Sequence, residues 1–349
     1  MVFLYTYHTI TSSTCLSLCV AIFQVLDAYG PELIGGMVVA AGEASSYSVI
    51  LSSPGVDRVI IHAPGCNNTF GANDIRYHVL EQARLLHFGY PPLMARMYHN
   101  DGAELTDLFK RAKACGVTTS LDLSMPDPMS AAGQANWLNI LTATLPFVDI
   151  FLPSIEELLF MLRRPLFNKL TAKAQNTLIE RISPTLVSEL GQQLLTLGAK
   201  IVGIKVGQRG LYLCTAQASK LIDMGHAQPT DERWASRELW SPCFATRVIG
   251  TTGSGDATIA GFLLALLRGL LPEAALTAAC AVGACSVETA DAISGIQSWP
   301  KTLSRISNGW QRLHGPWDAL MPAHGWRWNE VDALWLGPGD VQNNNTHHV

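Results

Sequence analysis

The sequence predicts an α/β fold in which βαβ units build one parallel sheet, and three observations carry that expectation. The 349 residues are 48% hydrophobic and 15% charged, a balance that suits a large domain with strands buried on both faces. Between residues 85 and 300, strand-like apolar runs alternate with stretches of helical spacing. A glycine-rich loop, 250–256, leads directly into a strongly apolar helical run, 257–267.

Taken in order, residues 16–26 hold an apolar patch with no Lys or Arg before it. It is too short for a membrane helix and lacks the basic start of a secretory signal, so a packed helix or a loose leader is expected. Ser45–Leu51 and Arg58–His62 are β-rich runs separated by a segment containing Pro54-Gly55, which predicts a hairpin. Leu85–Phe88 predicts a strand and Gly102–Cys115 a helix. Val117–Leu123 is the next strand and delivers Asp122 and Ser124 to a loop. Asn136–Leu145 reads as helix and Val148–Leu152 as strand. Ser154 then has the character of an N-cap, with Glu157 three residues on. Leu186–Leu197 predicts a helix, Ile201–Val206 a buried strand, and Gly207-Gln208-Arg209-Gly210 a turn into Leu211–Cys214. Residues 216–247 read as loop. The C-terminal tryptophans suggest a tail packed on the core, and 337–349 has the composition of a disordered end.

Composition also excludes classes of function. Net charge is −4, from 24 basic and 28 acidic residues with no basic cluster, so neither nucleic acid nor membrane is expected as a partner. Eight cysteines without paired metal spacing point to free thiols in a reducing, cytoplasmic setting.

The loop Gly250-Thr251-Thr252-Gly253-Ser254-Gly255-Asp256 carries the chemistry. Its glycines let backbone N–H groups face an anion, and the helix that follows adds its positive dipole end. Asp256 stands where it would accept a proton from an attacking hydroxyl. A plain tight turn with Asp256 as a capping carboxylate remains the alternative. The loop is not a Walker A motif, for it lacks the Gly-Lys-Ser/Thr ending.

Gly253-Ser254-Gly255-Asp256 followed by Ala257-Thr258-Ile259-Ala260-Gly261-Phe262 resembles the C-terminal signature of the ribokinase/PfkB family of carbohydrate kinases. Gly207-Gln208-Arg209-Gly210 resembles that family's nucleotide-side turn. Pro153-Ser154-Ile155-Glu156-Glu157 resembles its Asn-x-x-Glu motif with Ser154 in the Asn place, and Gly65-Cys66-Asn67-Asn68 its Gly-Ala-Asn segment. The likeness covers roughly residues 35–315. It implies a ribokinase-like, doubly wound, mostly parallel sheet with helices on both faces and a small β lid. The implied division is an atypical leader at 1–34, a lid segment at 35–66, the kinase domain at 67–315 and a tail at 316–349.

The implied activity is transfer of the ATP γ-phosphoryl group to a hydroxyl of a sugar or related small molecule. Asp256 would be the base, and the amides of Gly253, Ser254 and Gly255 the anion hole. Gly207, Gly210, Thr252 and Gly283 would attend the nucleotide, with Ala278–Ser286 on the adenine side. Asn67, Asn68 and Asp122 would meet the acceptor, and Glu157 would organise Mg2+ through water. Each also has a local reading: Glu157 as a capping-box residue, Gly207 and Gly210 as a β-turn, Asp122 as a brace. A homodimer through the lid is a further implication.

Two departures stand out. Gly250 occupies the place of an acidic residue, which leaves a monovalent cation uncertain. The usual N-terminal strand with its Asp and Gly-Gly segment is not found, so the alternative is a non-catalytic nucleotide- or metabolite-binding relative, or a truncated inactive kinase.

Overall fold

The computed structural model describes residues 2–3, 7–8, 22–51, 59–172 and 178–341. The chain divides into two compact units, Met1–Phe147 and Val148–Val349. The expected α/β fold is present, with a mixed sheet and flanking helices.

In the first unit, β1 (Val2–Phe3) runs parallel to a strand formed much later in the chain, while β2 (Tyr7–His8) pairs in parallel with β3 (Val38–Val39). The predicted hairpin is present: β4 (Tyr47–Leu51) and β5 (Val59–Ala63) are antiparallel, in register from Tyr47↔Ala63 to Leu51↔Val59. The expected Pro54-Gly55 reversal lies outside the described residues. Next come β6 (Leu85–Phe88), the partner of β1, and β7 (Thr118–Leu121), parallel to β6.

Every residue of β7 is buried although three are polar. Their hydroxyls are engaged inside the protein: Thr119 Oγ1 donates to the Phe147 carbonyl at 2.7 Å, and Ser120 Oγ lies 3.0 Å from His87 Nδ1. The first long helix, α1 (Ala103–Ala114), buries Leu105, Leu108, Phe109 and Ala112, the i, i+3, i+4, i+7 stripe that predicted it. It starts from Gly102 at φ 74°, where a β-carbon would stand 2.6 Å from Ile140 Cγ2, on α2 (Trp137–Thr144).

The second unit opens with β8 (Ile150–Phe151), followed by α3 (Ile155–Leu162) and α4 (Pro184–Thr196). β9 (Ile201–Lys205) pairs in parallel with β8. After the turn at Gly207–Arg209, each pairing is antiparallel. β10 (Leu211–Thr215) returns along β9, β11 (Glu238–Ser241) joins β10, and β13 (Leu334–Leu336) joins β11 and is flanked by β12 (Arg327–Asn329). The helices between them are α5 (Ser254–Leu267), α6 (Pro272–Ser286) and α7 (Trp299–Ser307).

The sheet is thus mixed. Its antiparallel part uses one strand from the stretch read as loop and two from the stretch read as tail. β11 escapes periodicity because its start is charged. Arg237, wholly buried just before it, places Nε 2.9 Å from Asp340 and NH1 2.6 Å from Glu273 on α6. Glu238 accepts a hydrogen bond from the Tyr212 hydroxyl at 3.1 Å and from the Gly339 amide at 2.7 Å. Asp340 also accepts the Glu238 amide at 2.9 Å. Residues 337–341, read as the start of a disordered end, are therefore ordered, and Asp340 is fully buried. Residues 342–349 lie outside the described residues. The tail tryptophans do pack inward: Trp326 meets Trp240 and Tyr212 edge-on at 5.8 and 6.0 Å.

No helix among the described residues is long and apolar enough to cross a membrane. Asp340→Ala would leave the Arg237 guanidinium with Glu273 as its remaining carboxylate. The variant is expected to lose about 3 kcal/mol of unfolding free energy in urea titrations, as removing one partner of a buried pair does.

Candidate active site

The glycine-rich loop folds as its composition suggests. Gly253 is the N-cap of α5, at φ 75° and ψ 0°, and no side chain caps the helix there. A β-carbon at Gly253 would lie 2.6 Å from Ala292 Cβ, so both conformation and space call for glycine. The Ser254 amide and hydroxyl both donate to the Thr251 carbonyl, at 3.3 and 3.0 Å. Asp256 is exposed on the first turn of α5, where a carboxylate complements the helix dipole. Thr252 is half-buried beside it.

Gly283 lies on α6 where a β-carbon would run into Thr258 Oγ1. That hydroxyl donates to the Ser254 carbonyl at 2.8 Å. Gly283 therefore lets α6 approach the first turn of α5. Ala278–Ser286 are all buried, a placement that the helix-packing alternative for these small residues also accounts for. At Gly250, a β-carbon would stand 2.9 Å from the carbonyl oxygens of Thr289 and Ala290. The backbone at this point has no room for the acidic side chain whose place Gly250 takes.

The Gly207–Gly210 turn has two left-handed glycines, at φ 52° and 99°. A β-carbon would meet Ile179 Cδ1 at the first and the Ser241 carbonyl at the second. Between them Arg209 is buried. Its NH1 donates to the Ile182 carbonyl at 2.6 Å, and its guanidinium stands 4.9 Å from the Trp240 ring centroid. Burial lowers the Arg209 pKa to about 10.

Ser154 and Glu157 form the predicted capping box on α3. Glu157 Oε2 accepts the Ser154 amide at 2.7 Å, and Ser154 Oγ accepts the Glu157 amide at 3.2 Å. No cluster of three or more His, Cys, Asp or Glu side chains suited to a metal occurs among the described residues. Were Mg2+ to enter with a nucleotide, Glu157, whose carboxylate is held by the Ser154 amide, is the group that would meet it through water.

Lys205, which the sequence reading did not single out, links these parts. Its amide donates to the Pro153 carbonyl at 2.9 Å, its backbone bridges Ser154 in parallel register, and its Nζ lies 3.7 Å from where a β-carbon on Gly255 would be. The motif at 153–157 and the loop at 253–256 therefore meet around one lysine. Its position at the C-terminal end of a buried parallel strand was the available clue.

The remaining candidates belong to the first unit. Asn68 Oδ1 accepts the Ala95 amide at 3.1 Å, and Asn67 is half-buried in the turn Gly65–Asn68. Asp122 follows β7, is fully buried, and donates its amide to the Phe88 carbonyl at 3.0 Å.

Residues 36–299 match the family described as pfkB family carbohydrate kinase. The chain belongs to that family. No curated protein matches the sequence. Among solved structures, this pfkB-family chain is similar to fructokinase with bound ATP from Xylella fastidiosa, at 16% identity and TM-score 0.62 over 87% of this chain and 84% of that one. It is similar to Arabidopsis thaliana ribokinase complexed with ribose and ATP, at 18% identity and TM-score 0.59 over 86% and 80% of the two chains. It is also similar to Burkholderia thailandensis nucleoside kinase in complex with inosine, at 13% identity and TM-score 0.55 over 87% and 80%. Likeness at these identities speaks for the fold alone.

Gly253→Ala would force a side chain into the left-handed region against Ala292. A loss of about 1–2 kcal/mol is expected, read as a lower melting temperature in calorimetry.

Proposed function

We propose that the chain is an ATP- and Mg2+-dependent kinase acting on a hydroxyl of a sugar or related small molecule, with Asp256 as its general base. The observation that carries this reading is the exposed Asp256 carboxylate on the first turn of a glycine-capped helix, with Lys205 alongside Gly255. Bound MgATP would supply the phosphoryl group and offset part of its charge. Asp256 takes the proton from the acceptor hydroxyl as its oxygen attacks phosphorus and the bond to the ADP oxygen breaks. The helix end and the Gly255 region receive the added negative charge. The Ser254 amide, in a long 3.3 Å bond to Thr251, is able to exchange that partner for a phosphoryl oxygen. Gly207 and Gly210 keep side chains off the nucleotide-side turn.

The second reading, a relative that binds nucleotide without transferring phosphate, draws on the local commitments of Asn68 and Glu157. Both side chains already cap backbone within their own units. The acceptor class is assigned as sugar-like because the matching family is one of carbohydrate kinases.

Asp256→Asn decides between the two. Under the kinase reading it lowers turnover by about 10²–10⁴-fold while ATP affinity stays near wild type. Equal turnover in the variant would overturn the role of Asp256. ATP binding without phosphorylation of any sugar, polyol or nucleoside by the wild type would favour the second reading.

The lid also supports self-association. Tyr47, Val49 and Leu51 lie on one face of the β4–β5 hairpin with Ile61, and all four are at least half exposed or nearly so, at 50%, 46%, 54% and 58%. A homodimer through this face should dissociate in Ile61→Lys, seen as a halved mass in sedimentation. An unchanged mass would remove the lid from the interface.

A further inference from the structure

One face of α7 borders a cavity of about 440 Å³, lined by Lys301, Ser304, Arg305, Asn308, Gly309 and Trp310. That volume lies in the range of small-molecule sites. No acidic residue lines it, and all six residues follow the stretch 36–299 that matches the family.

Its two cations are placed at a cost to the helix. Lys301 stands in the first turn of α7, which holds no acidic residue, and a positive charge there opposes the helix dipole. Arg305 is four residues on, so like charges are neighbours across one turn. Glu288 answers only one of them, accepting from Arg305 NH1 and NH2 at 2.8 and 2.7 Å. Lys301 has no polar partner among the described residues, and neither has Arg305 Nε.

The wall around these donors is fixed in advance. The Arg305 guanidinium lies 3.5 Å from the Trp310 ring centroid, and the Phe244 ring stacks on Trp310 at 4.5 Å. At those distances the two must cover opposite faces of the indole. Arg312 stands 4.2 Å from the Phe244 centroid, and Trp310 Nε1 donates to the Ala245 carbonyl at 2.8 Å. Ser304 Oγ accepts from Asn308 Nδ2 at 3.4 Å, which leaves the hydroxyl hydrogen to donate elsewhere. An ammonium, a guanidinium edge and a hydroxyl therefore offer hydrogens within one turn of helix. A phosphate monoester presents three oxygens and nearly two charges at one tetrahedral centre, which suits so compact a donor set. A dicarboxylate would spread the same charge over two separated groups.

The same wall reaches the loop of Asp256. Glu288 also accepts from the Thr246 hydroxyl. The carbonyl of its neighbour Val287 accepts the amides of Ile249 and Gly250, at 2.8 and 3.3 Å. Gly250 opens the loop that closes on Asp256, so an anion that shares Arg305 with Glu288 bears on its support.

We propose that this cavity binds a phosphate monoester of a small polar molecule, apart from the Asp256 loop, and that its occupancy is felt at residues 249–250 through Arg305 and Glu288. Neither half requires that the chain transfer phosphate.

The test is calorimetric titration of wild type, Lys301→Glu and Lys301→Arg with glycerol 3-phosphate, with glycerol and tartrate for comparison. Wild type should bind glycerol 3-phosphate saturably and glycerol not at all. Lys301→Glu should weaken the phosphate ester about tenfold or more, as loss of a charge-assisted contact does, and Lys301→Arg should stay within about threefold of wild type. Lys301→Glu should melt no lower than wild type, because it sets an acid in the first turn of α7. Should it fail to fold, Lys301→Gln is read in the same way. On saturation of wild type, hydrogen exchange of the Ile249 and Gly250 amides should change by about threefold or more, with no change in Lys301→Glu. Absence of saturable binding to wild type up to about 10 mM overturns the site. So does equal affinity in Lys301→Glu, which would put the anion elsewhere, at the Asp256 loop for instance. Tartrate binding as tightly as glycerol 3-phosphate overturns the ligand class, and unchanged exchange at saturation overturns the coupling. None of these results bears on the kinase reading, which turns on Asp256→Asn.

Discussion

The second unit depends on one buried guanidinium. Arg237 stands at the entry to β11, fully enclosed, and draws Asp340 and Glu273 to it from distant parts of the sequence. Asp340 also accepts the Glu238 amide, which fastens the chain after β13 to the strand between β10 and β13. Glu273 belongs to the first turn of α6, so the same arginine ties the start of that helix to the entry of β11. Farther along α6, Gly283 allows close contact with Thr258, whose hydroxyl bonds the first turn of α5. The arginine thus connects, through one helix, to the loop that carries Asp256. Such an ion pair is justified less by net stability than by the single arrangement it selects, since each charge is intolerable there without the others.

The loop itself follows from a second constraint, the want of side chains. Gly253 accepts a left-handed conformation, Gly250 fits against two carbonyl oxygens, and Gly255 leaves space for Lys205. What remains is an uncapped helix end with a carboxylate and an ammonium in reach of one another's field. A site of that kind can receive a strongly charged ligand and still present a base to a neutral hydroxyl.

Much of this was readable in the sequence where the interactions are local. The Ser154–Glu157 capping box spans three residues, and both of its hydrogen bonds are present. The α1 stripe and the start of α5 likewise follow from spacing and from glycine chemistry. The turn glycines at 207 and 210 were legible for the same reason. Where partners are remote, pattern gave no purchase. β11 begins with charged residues that look like loop until Tyr212, Gly339 and Asp340 are placed around them. Lys205 lies within the strand read at 201–206, and nothing in that run marks it, because its neighbour at Gly255 is fifty positions away.

The sequence by itself determined the local elements, the anion-suited loop and the family resemblance, since each is written in spacing over a few residues and in the conformational freedom of glycine. The tertiary structure decided the antiparallel half of the sheet, the ordering of 327–341, the local tasks of Asn68 and Glu157, and the place of Lys205. Those features depend on which distant groups share a buried space, and desolvation makes the pairing of charges there obligatory.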